Sequence, residues 1–118
     1  MPPEQKIVDM THKWMGNASE DFHLAKLAMT PNPPFIKSAV FHCQQAVEKA
    51  LKGFLVYHGK KFRKVHDINE LARQVLEVAP ALNELLKQAD TLTAYAIAYR
   101  YPDAAKEDLT TDKVKHAL

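Results

Sequence analysis

The chain carries one cysteine, Cys43, among 118 residues. A single thiol cannot close an internal disulfide, and it excludes a Cys-based structural zinc site. That usage fits a reducing compartment, so a cytoplasmic location is expected. Glycine is also scarce, at three residues, which disfavours a many-turned sandwich or barrel. No run of about eighteen apolar residues occurs, so no membrane-spanning segment is expected. The first ten residues, MPPEQKIVDM, lack a charged-then-apolar leader pattern. Charge of one sign is not in excess, because the formal net charge is only +2. There is no G-x-S-x-G, no P-loop, no G-x-G-x-x-G, no H-E-x-x-H and no C-x-x-C. None of the six histidines forms an i,i+4 pair with another, so neither a metal centre nor a cofactor is expected.

What remains is an ordinary globular composition, 47% hydrophobic and 25% charged, in a length that suits one domain. The dominant apolar period is helical. Trp14, Ala18, Phe22, Ala25 and Met29 share one stripe of a first helix over residues 9–29. The prolines at 31, 33 and 34 stop it. A second helix is expected over 34–58, with Ile36, Val40, Cys43, Val47, Ala50, Leu51 and Phe54 as its main stripe and His58-Gly59 as its C-terminal cap. Asp67-Ile68-Asn69-Glu70 reads as a capping box that opens a third helix. A fourth is expected over about 81–100, ended by Pro102, and a short fifth from about Thr110 or Thr111. The expected fold is therefore all-α. It is an up-and-down bundle of four main helices plus a short C-terminal fifth, one domain over 1–118 with residues 1–8 as a flexible N-terminus.

Three features could carry chemistry. On the second helix a polar stripe of Phe41, Gln45, Glu48 and Lys52 lies beside the apolar one. It reads either as a cleft or subunit surface, or as a solvated face with a Glu48–Lys52 pair at i,i+4. On the fourth helix Arg100 shares the arc of Leu82, Ala89, Thr93 and Ala96. It reads as an inward phosphate fork, or as a C-terminal cation complementing the helix dipole. Residues 60–73 hold five Lys/Arg against two Asp/Glu, whereas residues 74–118 hold five against seven. The basic stretch, with Phe62 inside it, suits phosphate contact with base stacking, or is a solubilising loop. His66 could act as acid, base or phosphate ligand, while Asp67 already has a capping task. Cys43 falls on the apolar stripe and reads as a core residue.

The order of these features resembles the HEPN family, the higher eukaryotes and prokaryotes nucleotide-binding domain. Residues 38–52, SAVFHCQQAVEKALK, are similar to its signature helix. His66-Asp67-Ile68 resembles its H-D-[LI] element, and Leu92-Thr93 followed by Arg100-Tyr101-Pro102-Asp103 resembles its third block. The resemblance covers about residues 9–118. It implies a four-helix bundle with a short fifth helix, a homodimer, and a small stand-alone prokaryotic protein paired with a minimal nucleotidyltransferase in a toxin–antitoxin-like unit. Some members bind a nucleotide; others are metal-independent ribonucleases whose motif is an Arg followed, after four to six residues, by a His. Here positions 105–107 are Ala105, Lys106 and Glu107, and His116 lies too far along. The resemblance with that departure implies a non-catalytic nucleotide-binding or interaction module. Its nucleotide or RNA phosphates would meet Gln45, Glu48, Lys52, His66, Asp67, Arg100, Tyr101 and Asp103. The alternatives are a ribonuclease with a non-standard base, such as His66 or Glu107, and a purely structural partner. Tyr95, Tyr99 and Tyr101 would be acceptor hydroxyls if a partner modifies the chain.

Overall fold

Proline and glycine punctuate the chain where their backbone limits demand it. The computed structural model describes residues 4–63 and 67–87. Helix α1 spans Gln5–Ala28 and α2 spans Ile36–Tyr57, with the proline-rich connection between them. Gly59, at φ 69°, closes α2 in the left-handed conformation that glycine adopts without steric cost. Its N–H bonds to the Val56 carbonyl and that of Lys60 to the Leu55 carbonyl, the paired bonds of a Schellman cap. Helix α3 spans Ile68–Val78 and a 3-10 turn covers Pro80–Leu82, leading into helical residues 83–87. The described residues are helical and connecting segments with no strand, and the fold is all-α. Residues 5–8, expected to belong to a flexible N-terminus, form the first turn of α1. The remainder of the expected fourth helix, and the expected fifth, lie outside the described residues.

Helices α1 and α2 run antiparallel over most of their lengths, about 36 and 33 Å at 1.5 Å per residue. The pairing is fixed by contacts at three heights. Ala28 packs with Ala39, Asp21 bonds to His42, and Gly53 faces Trp14. The seam is made of small residues, with Ala18, Ala25 and Ala28 on one side and Ala39, Cys43, Ala46 and Gly53 on the other. A Cβ on Gly53 would lie 3.1 Å from the Trp14 Cβ and 3.0 Å from the Met15 Cε, so the bare glycine is what lets the two backbones come together.

The main core sits on the other side of α2. Leu51 and Leu55 meet Ile68, Leu71, Ala72 and Val75 of α3 and Leu86 beyond it. Each leucine, isoleucine or valine among them contributes about 1.5–3 kcal/mol by leaving water. The C-terminal half of α2 is thus enclosed on several sides, and Leu51, Lys52, Gly53 and Leu55 are all buried. No helix among the described residues is long and apolar enough to cross a membrane.

Candidate functional site

A helix enclosed on several sides must bury some of its polar stripe, and α2 does so at Glu48 and Lys52. The two form the i,i+4 pair read from the sequence, at 3.3 Å, but it is not a solvated one. The Lys52 side chain is only 3% exposed and that of Glu48 11%. The Lys52 ammonium lies 5.4 Å from the Trp14 ring centre and 5.7 Å from that of Phe62. Both distances are within cation–π range. The two rings meet edge to face at 6.1 Å. Gln45, one turn before, is half-buried, and Phe41 is exposed.

Residues 61–63 of the basic stretch lie against this pair through Phe62 and are held to α3. Phe62 turns inward against Trp14 and the core, so it is not the exposed stacking ring that the sequence suggested. Gln74, buried on α3, accepts from the Arg63 N–H at 3.0 Å and donates to the Lys61 carbonyl at 2.7 Å. The Arg63 guanidinium pairs with Glu70 at 2.8 Å and with Glu77 at 2.9 Å. These acids from α3 offset part of the loop's positive charge. Asp67 caps α3 by accepting from the Glu70 N–H at 3.2 Å. The Glu70 carboxylate is itself held by Arg63 and Arg73.

A second polar cluster was not legible as a site in the sequence. Asp21 lies on the buried face of α1 and uses both carboxylate oxygens. Oδ1 is 2.9 Å from His42 Nδ1, and Oδ2 accepts from the Lys49 ammonium at 2.5 Å. Burial pushes the Asp21 carboxyl up, but the hydrogen bonds and charges of Lys49 and His42 outweigh it and hold the group below its ordinary value. A carboxyl that releases its proton more readily when folded stabilises the fold above its unfolded pKa. That contribution is lost as pH falls through the folded value. Asp21→Asn is therefore expected to lower stability by about 1–3 kcal/mol at neutral pH. It should also shallow the acid limb below about pH 4. Urea midpoints measured from neutral to acid pH check both. Cys43, buried on α2, has its thiol pushed up to about 11 by desolvation, which leaves it a poor nucleophile.

Of the residues that the sequence singled out, the structure places Gln45, Glu48 and Lys52 on successive turns of α2, and Asp67 at the N-terminus of α3. His66, Arg100, Tyr101 and Asp103 lie outside the described residues. Asp21 was missed because an acid inside an apolar stripe looks like an interruption of it, and Lys49 because nothing local marks its partner on α1. The signal that could have found Asp21 is the 3-4-3 spacing of Ala18, Asp21, Ala25 and Ala28, which puts it in the seam.

The model of the HEPN domain family matches residues 11–118. A Methanocaldococcus jannaschii protein named "Putative toxin MJ1304" is 30% identical over 93 residues, which is 73% of this chain and 59% of that protein. The chain thus spans about three-fifths of the curated relative that it matches. No solved structure gives a significant match.

Proposed function

From the premise that this chain belongs to the HEPN domain family, we propose that it binds the phosphates of a nucleotide or RNA. In this reading it forms the helical half of a toxin–antitoxin-type pair with a minimal nucleotidyltransferase, and acts as a cytoplasmic homodimer. The observation that carries the reading is the buried Glu48–Lys52 pair, set beneath the basic loop on the signature helix. A buried ion pair seldom improves stability over apolar packing, so its presence on that helix favours a task beyond folding. Lys60 and Lys61 are exposed on the loop above and would draw anions inward. Arg100 and His66 are assigned to the phosphate, with Gln45, Tyr101 and Asp103 beside it. The name of the archaeal relative supports the toxin–antitoxin setting.

Titration of the full chain with ATP, GTP and a short single-stranded RNA at low salt is expected to show submillimolar binding. Arg100→Ala should weaken it about tenfold or more, the loss of one charge-assisted fork. Salt should weaken it further. Absence of any binding below millimolar would overturn the ligand assignment. Co-purification with a nucleotidyltransferase from the native host tests the partner.

A further inference from the structure

We propose that the Asp21–His42–Lys49 cluster is the device that sets the register of α1 on α2, and that it thereby carries Trp14 to its place beside Lys52. Asp21 is a positioning residue in this role, and no ligand is needed for it.

The seam repeats every seven residues. Ala28 packs with Ala39, Asp21 reaches the stretch between His42 and Lys49, and Trp14 lies against Gly53. Each step of seven back along α1 is thus matched by a step of seven forward along α2, the period of helices packed knobs into holes. The facing positions on α2 are Ala39, Ala46 and Gly53, all buried. None has a side chain larger than a methyl group. A slip of one heptad, about 10.5 Å along the axis, sets a small residue opposite each of them again. Gly53 adds a soft preference at one end, because a Cβ there would lie 3.1 Å from the Trp14 Cβ, a crowding that a small shift relieves. Apolar packing along this row therefore discriminates weakly between registers, and uniqueness is what such a core loses first.

Charge supplies the discrimination that shape lacks. Asp21 stands opposite Ala46, with His42 four residues before it and Lys49 three residues after. Its Oδ1 is 2.9 Å from His42 Nδ1, and its Oδ2 accepts from the Lys49 ammonium at 2.5 Å. A slip one way sets Asp21 opposite Ala39, between Phe35 and His42, and takes Lys49 away. A slip the other way sets it opposite Gly53, between Lys49 and Val56, and takes His42 away. Of these three registers, the observed one alone gives both oxygens a donor. In the other two a carboxylate from a residue only 7% exposed loses one of its partners, and a buried ion is costly without them. A polar group at a single seam position is an established physical means of fixing register where apolar contacts are permissive.

The register has a consequence at the other end of the seam. Trp14 precedes Asp21 by one heptad, so the grip on Asp21 decides where the indole lies. In the observed register the ring centre is 5.4 Å from the Lys52 ammonium and 6.1 Å from the Phe62 ring. A slip of one heptad removes it from both. Trp14 is the one tryptophan in the chain, so its emission reports the register directly.

The test replaces the whole cluster in the full chain by apolar groups, Asp21→Val, His42→Leu and Lys49→Met together. Cysteine pairs under mild oxidation read the register. Ala25→Cys is set against the native Cys43, which Ala25 touches in the observed register. Ala18→Cys meets Cys43 only after a slip one way. Ala25→Cys with Ala50→Cys, in a Cys43→Ala chain, meets only after a slip the other way. A disulfide needs Cα atoms within about 7 Å, and a heptad is about 10.5 Å, so each pair reports one register. With the cluster intact, the 25–43 pair alone is expected to close. In the triple variant the urea midpoint is expected to stay at or above that of the wild type, while a slipped pair closes and Trp14 emission moves to longer wavelength. Asp21→Val alone leaves Lys49 without its acid and is expected to lower the midpoint. A triple variant that closes only the 25–43 pair and keeps the wild-type emission overturns the proposal, because apolar packing then sets the register. A midpoint far below that of the wild type in the triple variant also overturns it, because the cluster then supplies stability rather than selecting among packings. Emission and midpoint need no added cysteine, so they decide the matter where a cysteine variant fails to fold.

Discussion

Glu48→Ala is expected to cost the fold about 3–5 kcal/mol, seen as a fall in urea midpoint at neutral pH. The reason is the charge that it strands. Lys52 is 3% exposed and cannot reach water while α2 keeps its place. With the carboxylate gone, the ammonium keeps, among the described residues, the faces of Trp14 and Phe62. Two cation–π contacts supply about 1–2 kcal/mol each when desolvated, less than the several kcal/mol needed to hold an unpaired ion out of water. Adding Lys52→Met to the Glu48→Ala chain removes the stranded charge and is expected to recover much of the loss. An exposed pair of the same spacing would lose only about 0.3–0.5 kcal/mol. A change of that size in Glu48→Ala would show that Lys52 reaches solvent.

Leu71→Ala is the second large effect, at about 2–5 kcal/mol. Leu71 is 0% exposed and central to the cluster of Leu51, Leu55, Ile68, Val75 and Leu86. The cavity would open where α2, α3 and the following turn meet, so no single element can shift to fill it. Leu27 is 63% exposed on α1, and Leu27→Ala is expected to stay within about 0.5 kcal/mol. Comparing the two midpoints at equal m-value separates core packing from the small gain in helix propensity that both Leu→Ala changes share.

Local rules made much of the fold legible. Three prolines between residues 31 and 34 had to end one helix, and Gly59 had to end the next. Asp67 could be named as a cap because a short acid before a helical period has one strongly favoured position. The stripe on α1 was read less well. The buried set is Ala18, Asp21, Ala25 and Ala28, whereas Phe22 stays partly exposed beneath Lys26, whose ammonium lies 4.5 Å from its ring centre. Counting only apolar residues turned the face away from its true centre, because a paired acid behaves as an interior residue once its partners are present. Phe62 shows the same limit in the opposite sense. Amid four cations it looked like a ring for stacking bases, but Trp14 and Lys52 give it an inward partner.

Composition, helical period and the three ordered blocks were enough to establish an all-α chain of the HEPN domain family. Each is a local property of consecutive residues, carried by backbone preference and side-chain spacing. Which charges are buried, and with whom, was decided only by the packing of α1, α2 and α3. The Asp21–His42–Lys49 cluster joins residues 21 and 28 positions apart. Its electrostatics depend on how much water the neighbouring helices exclude, and no single segment of sequence encodes that.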